Sequence, residues 1–252
     1  MGQDKIAKMV EREMFRNIKD EAEAINIQNK LNKLIVINNN FDFKGLKRVA
    51  GVDLAYWKVS DIEYAVCCIV VIDSSTEEVL EKVYTVSSVS FPYIPGCLAF
   101  RELPLVIETV SKLKAEPDLY IFDGNGYLHP RHMGIATHAS IYLNKPTLGV
   151  AKSYYKIQDV DFTMPENHKG AYTDIIINND IYGRAIRTHK DVKPIFLSVG
   201  NYIDLETATE IVNRLVSTES HIPIPTRLAD IETHRIRTMY KNVGTSSANN
   251  QG

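Results

Sequence analysis

The sequence predicts a mixed α/β fold: a central sheet that opens as an antiparallel meander, continues with parallel strands and carries helices on both faces. Three observations lead there. The strand-like runs Arg48 to Trp57, Ile62 to Asp73 and Val79 to Val86 are separated only by the short turns Val59-Ser60-Asp61 and Ser74-Ser75-Thr76, which is hairpin spacing. Beyond them, helical and short apolar segments alternate, the pattern of βαβ units. Hydrophobic residues make up 44% and charged residues 24%, enough apolar material for a sizeable core and unlike a collagenous, coiled-coil or disordered chain.

Residues 4 to 33 mix both charge signs with apolar residues near helical spacing (Ile6, Met9, Val10, Phe15, Ile18, Ala22, Ile25) and read as a long amphipathic helix. After the meander, Phe91-Pro92-Tyr93-Ile94-Pro95-Gly96 is a stiff connection leading into a helix over Leu98 to Lys114. Leu119 to Phe122 is a short buried strand ending at Asp123, followed by the loop Gly124-Asn125-Gly126. Pro130 suits a first helical position, which places a helix from there to Leu143. Pro146 to Val150 is another buried strand, Ala171 to Arg187 and Ile195 to Val199 are a second β section, and helices start near Asp204 and Pro225. No stretch reads as an interdomain linker, so residues 1–241 are expected to form one domain, with a tail at 242–252 whose composition from Gly244 onward cannot bury anything.

Lys plus Arg number 29 against 31 Asp plus Glu, a net charge of −2, so no global basic field draws this chain to nucleic acid. Any such binding must use a local groove or metal ions that bridge carboxylates to phosphates. The cysteines Cys67, Cys68 and Cys97 are too few for a disulfide framework and favour a reducing compartment. The apolar run Ala65 to Ile72 is too short to span a bilayer, and the first residues lack a signal-peptide apolar stretch. A soluble, cytoplasmic monomer without membrane contact or organic cofactor is expected.

Asp53 lies inside the apolar run Val49-Ala50-Gly51-Val52-Asp53-Leu54, where a carboxylate is costly unless paired or metal-bound, although a strand-end Asp facing solvent is the common case. Asp123 ends a second apolar strand. If the two strands are parallel neighbours, both carboxylates enter the crevice beyond the strand ends, where a divalent cation with oxygen ligands, Mg²⁺ above all, relieves their repulsion. Glu102, one turn into its helix, can lean towards the same crevice or be an ordinary solvated Glu. Lys152, at a third strand end, adds a cation suited to a phosphodiester. Together these residues suggest metal-dependent phosphoryl hydrolysis. The loop after Asp123 leads to His129-Pro130-Arg131-His132, where a helix N-terminus and the Arg131 fork can attract phosphate and His129 can bond the phosphate or a water. Zinc is disfavoured, since His129, His132 and His138 lack structural-zinc spacing. Pro92-Tyr93-Ile94-Pro95 is either a packed connection or a wedge that enters a nucleic-acid stack.

Several blocks resemble the motifs of endonuclease V: Arg48 to Asp53, Pro92 to Glu102, Asp123 to Arg131, Gly134 to His138 with Pro146 to Lys152, and Pro225 to Asp230. They occur in order over roughly residues 45–237. The chain departs from the family at Asn201, where His is frequent, and at Ala139 or Ser140, where Gly is. The resemblance implies a ribonuclease H-like fold and Mg²⁺-dependent hydrolysis of DNA containing deoxyinosine, with Mn²⁺ able to substitute. The cut implied is the second phosphodiester 3′ to the lesion, leaving a 3′-hydroxyl and a 5′-phosphate, the first step in repairing deaminated adenine. By the same resemblance Asp53, Glu102 and Asp123 form the metal site, with His129 and Lys152 acting around the scissile phosphate. Tyr93, with Pro92, Ile94, Pro95 and Gly96, falls on the wedge, and Leu98, Gly124, Gly126 and Ile135 fall near the base pocket. Inosine in RNA is the competing substrate. A non-catalytic nucleic-acid binder is the alternative of another class, disfavoured because clustered carboxylates repel phosphate, and a nucleotide-dependent small-molecule enzyme lacks its glycine-rich fingerprint.

Overall fold

The computed structural model describes residue 18 and residues 20–39 and 43–248. Their strands form one eight-stranded sheet in the order β3-β2-β1-β4-β5-β8-β7-β6. The meander consists of β1 (Arg48–Val59), β2 (Ile62–Asp73) and β3 (Val79–Ser88), and β1 pairs antiparallel to β2 along its whole length. On its other side β1 pairs in parallel with β4 (Leu119–Asp123), which in turn pairs in parallel with β5 (Thr147–Ala151). β8 (Ile195–Asn201) closes on β5 antiparallel, and the hairpin β6 (Tyr172–Ile177) and β7 (Asp180–Ile186) completes the sheet.

The near-continuous apolar runs of β1 and β2 follow from burial on both faces. On one face Val49, Val70, Leu119 and Leu148 pack with Ile211 of α4 (Leu205–Arg214) and Ile236 of α5 (Ile224–Ala248). On the other, the alternate residues Ala50, Ile69, Tyr120 and Phe122 meet Leu103 of α2 (Leu98–Val110) and Ile135 of α3 (Ile135–Leu143). The period of two along each strand thus feeds two separate cores. A smaller cluster docks α1 (Glu21–Leu31) through Ala24, Ile27 and Leu31 onto Cys97, Phe100 and Met133. The three cysteines are buried and unpaired, and among the described residues no helix is long and apolar enough to cross a membrane.

Three expectations change. The helix expected over 4–33 is described only from Glu21, since residues 1–17 and 19 lie outside the described residues. Asp20 is extended (φ −157°, ψ 175°) and its carboxylate accepts the Glu23 N–H at 2.9 Å, so it caps a helix start and one continuous helix through this position is excluded. The helix expected from Pro130 starts instead at Ile135, with Gly134 as its N-cap. Between them His132 has φ +56°, which no α-helix accommodates. At the other end, helical backbone continues across Gly244 to Ala248, beyond where composition places the tail, and residues 249–252 are outside the described part. Helix propagation adds one hydrogen bond per residue, against a cost of about 1 kcal/mol for a single glycine.

Candidate active site and adjoining cavity

Parallel pairing of β4 with the first half of β1, and of β5 with β4, brings the chain ends of β4 and β5 beside the middle of β1. Val52 pairs with Phe122, so Asp53 and Asp123 stand at neighbouring levels, and Lys152 follows the last residue of β5. Helix α5 supplies a third carboxylate, Asp230. It approaches β1 so closely that a Cβ on Gly51 would lie 2.0 Å from the Pro225 carbonyl carbon and 2.3 Å from the Thr226 nitrogen. Carboxylate oxygens of Asp53, Asp123 and Asp230 all lie within 4.8 Å of one another. From the same helix Thr233 donates its hydroxyl to Asp53 Oδ2 at 2.6 Å. The Lys152 ammonium lies 2.7 Å from Asp123 and 3.1 Å from Asp230.

Asp53 is 6% exposed. Burial raises its pKa far above the carboxylate range, and the charges of Asp123 and Asp230 add to this against the Thr233 bond and Lys152. Burial works to lower the Lys152 pKa, yet its bonds to Asp123 and Asp230 hold it above its ordinary value. A partly buried all-oxygen donor set with surplus negative charge, bridged by an ammonium, is an environment that calls for a cation, and its chemistry fits a hard divalent ion.

Glu102, expected among the metal ligands, lies outside this three-carboxylate cluster. It accepts the Tyr56 hydroxyl at 2.8 Å, and Arg101, whose guanidinium carbon lies 4.7 Å from the Tyr56 ring centre, pairs with Glu63 at 2.6 Å. Burial, with the charges of Asp53 and Asp123, pushes Glu102 up to about 7 although the Tyr56 bond opposes it. It is therefore a close neighbour of the cluster, and Asp230 takes the third place in it.

Two residues beyond Asp123 the chain enters the wall of a cavity of about 140 Å³. Leu98 and Ile135, expected near a base pocket, line it together with Tyr93, Ile94 and Gly96 of the expected wedge and with His129, which was expected at the scissile phosphate; Asn125, Met133 and Tyr155 line it as well. Ile94-Pro95-Gly96-Cys97 is a turn closed by the Cys97 N–H on Ile94 O at 2.9 Å, with Gly96 at φ +76°, a conformation that proline followed by glycine supports. Tyr93, flanked by Pro92, is 71% exposed, more than any other large apolar side chain among the described residues.

Several expected roles change here. Gly124 and Gly126 are not in the cavity wall. A Cβ on Gly126 would lie 2.3 Å from Val199 O and one on Gly124 2.8 Å from Ile135 Cγ2, so these glycines serve packing of the protein on itself. Arg131 does not offer a free fork: Nη2 donates to Gly96 O at 2.8 Å and Nε to Gln28 Oε1 at 2.5 Å. With the helix start moved to Ile135, the phosphate-attracting N-terminus drawn at Pro130 is absent too. His129 is fully engaged: Nδ1 accepts the Arg131 and Met133 N–H groups at 3.1 and 3.2 Å, so the proton sits on Nε2, which donates to Gly96 O at 3.0 Å. Burial and the Arg131 charge lower its pKa to about 3, keeping the ring neutral. It lines the cavity as a pinned imidazole with no nitrogen left for a phosphate. The departures from the family motifs also lie away from the wall. Asn201 is buried and accepts the Val36 N–H at 2.6 Å, Ala139 is in the core, and Ser140 bonds Lys145 O at 2.6 Å.

Comparison with known proteins decides the family. The sequence model for Endonuclease V matches residues 29–231. An endonuclease V from Bacillus thuringiensis is 61% identical over 228 residues, covering 89% of this chain and 97% of that protein. The crystal structure of the Bacillus subtilis endonuclease V is 53% identical with a TM-score of 0.87, over 90% of this chain and 95% of that one. The chain belongs to the endonuclease V family. It is thus a nuclease with the ribonuclease H-like fold that the sequence blocks implied. The Ciona intestinalis endonuclease V, 29% identical with a TM-score of 0.77 over 87% of this chain and 98% of that one, is known in complex with DNA containing an inosine followed by a ribo-adenosine.

Asp53, Asp123 and Lys152, expected to converge from three strands, do so in the structure, whereas Asp230 had no expected role. Asp230 closes the block Pro225-Thr226-Arg227-Leu228-Ala229-Asp230, which was the one available signal. Asn125 and Tyr155 were missed as well: Asn125 stood between two glycines in a loop read as a turn, and Tyr155 follows Lys152 by three residues. The Asn125 amide oxygen is buried without a hydrogen-bond partner.

Proposed function

We propose that the protein extrudes the hypoxanthine base of deoxyinosine from DNA into this cavity and hydrolyses the second phosphodiester 3′ to it, initiating repair of deaminated adenine. The observation that carries this reading is the continuity of the two sites: Asp123 belongs to the carboxylate cluster and Asn125, two residues on, to the cavity wall. One short loop thus ties the position of a held base to the position of a cut.

Asp53, Asp123 and Asp230 would hold Mg²⁺, or Mn²⁺ in its place, which neutralises charge on the phosphoryl oxygens and acidifies water when bound. Lys152 orders two of these carboxylates and brings a positive charge to the phosphate. Glu102, oriented by Tyr56, offers an acceptor for a proton of the attacking water. The aromatic and aliphatic wall suits a flat heterocycle, and the unpartnered Asn125 oxygen matches the N1–H that hypoxanthine has and adenine lacks. Tyr93 fills the gap that the extruded base leaves; base–aromatic stacking contributes roughly 1–3 kcal/mol against the few required for extrusion. The unpaired cysteines fit a reducing compartment such as the cytoplasm.

A second reading, inosine in RNA, is favoured by the ribo-adenosine that follows inosine in the nucleic acid bound by the Ciona enzyme. The decisive experiment compares nicking of a deoxyinosine duplex, its undamaged counterpart and matched inosine RNA, in Mg²⁺ and in EDTA. The deoxyinosine duplex should be cut in Mg²⁺ alone, and Asp123→Asn should reduce nicking by about 100-fold or more. Clear preference for RNA would sink the DNA reading, and robust cutting in EDTA the metal mechanism.

A further inference from the structure

We infer that Gln28, on the N-terminal helix α1, is a positioning residue for lesion recognition: it locks the loop that carries Tyr93 onto the wall of the cavity. This rests on the function proposed above. Gln28 lies one residue before the segment matched by the family model. It is fully buried on an otherwise amphipathic helix, a costly place for an amide unless its polar atoms are used. They are used across three segments. Nε2 donates to Gly96 O at 2.9 Å and to Met133 O at 3.4 Å, and Oε1 accepts from Arg131 Nε at 2.5 Å.

The Gly96 carbonyl is where these bonds converge, since it also receives His129 Nε2 at 3.0 Å and Arg131 Nη2 at 2.8 Å. It sits three residues after Tyr93, at the C-terminal root of the loop. The other root is held by Arg101 Nη1 on Phe91 O at 2.7 Å, and Tyr93 itself reaches into solvent. The set of the loop therefore depends on the Gly96 anchor. Two of the three donors to that carbonyl are coupled, because Gln28 also orients the Arg131 fork. Gly96, His129 and Met133 all line the cavity, so the same amide fixes the wedge relative to the wall that receives the base. Burial of Ala24, Ile27 and Leu31 against Cys97, Phe100 and Met133 carries α1 to this place, and Gln28 turns that packing into a directional lock.

The test uses Gln28→Met, close in size but unable to make the bonds, and Gln28→Glu, which keeps an acceptor for Arg131 and sets a carboxylate against the Gly96 carbonyl. Amide hydrogen exchange of residues 92–97 and 129–133 should rise by about 10-fold in both variants, the loss of one to two anchoring bonds, with β1, β4 and β5 unchanged. Affinity for a deoxyinosine duplex should fall about 10-fold, shrinking to under about 3-fold on a single-stranded deoxyinosine oligonucleotide, where a displaced Tyr93 has less stacking to replace. Unchanged exchange in those two segments, or equal losses on single and double strands, would overturn the inference. A wild-type protein indifferent to deoxyinosine would instead remove the proposed function, while the exchange measurement still decides what Gln28 does.

Discussion

His138 shows how far one side chain can depart from the bonding expected of it. It is fully buried on α3, neither ring nitrogen has a hydrogen-bond partner, and its ring meets Phe100 edge-on at 5.0 Å between centroids. Burial lowers its pKa to about 4. Between that value and about 6.5 the unfolded chain binds a proton that the folded one refuses, so the contribution of His138 is complete above 6.5 and lost as pH falls towards 4. Asp53 and Glu102, with raised values, act in the opposite sense over much of the same window, as they lose stability with rising pH. Only a difference between two proteins isolates the histidine. His138→Met preserves volume and removes the titration. The stability of the variant relative to wild type should rise by about 2 kcal/mol between pH 7 and pH 5, measured by urea titration at each pH. Parallel profiles for the two proteins would mean that the ring is not held neutral.

Elements place residues that no local pattern can place. The strands were legible because their apolar runs are bounded by turns, and β2 begins and ends where the sequence puts it. Helix starts were less so. At Asp20 a cap inside a long charged pattern was hidden, and at Pro130 a residue that fits a first turn sits instead in a loop stabilised by His129. Asp230 was the costliest omission. A carboxylate on a helix looks like any solvated one, and what brings it 107 residues forward to Asp123 is the contact of α5 with β1 at Gly51. That contact gives a prediction at the same scale. Gly51→Ala drives a Cβ into the backbone of Pro225, which cannot move aside as a side chain could. It should cost about 3 kcal/mol or more in urea unfolding and should weaken Mn²⁺ binding in calorimetry even where the protein still folds. Wild-type stability with unchanged Mn²⁺ binding would show that the α5 contact does not assemble the site.

The whole molecule carries a net charge of −2, and nothing long-range draws it towards a polyanion. The parts proposed to meet nucleic acid are also those whose legibility varied most: a wall drawn from several segments of chain, and a cluster whose three acids come from two strands and the helix α5. Without a divalent ion the carboxylates face an approaching phosphate backbone, and Lys152 is engaged with Asp123 and Asp230 at 2.7 and 3.1 Å rather than free for it. Replacing Asp230 with Asn removes one repelling charge and loosens one of the two holds on that ammonium. A unit charge at close range in water is worth about 1 kcal/mol, so in EDTA Asp230→Asn should bind a deoxyinosine duplex about 5-fold more tightly than wild type. The advantage should shrink at about 0.3 M salt as screening shortens the reach of charge. In Mg²⁺ the same variant should lose nicking by about 100-fold or more. Weaker binding in EDTA would mean that Asp230 supports the fold of α5 more than it repels phosphate, and unimpaired nicking would take it out of the metal site altogether.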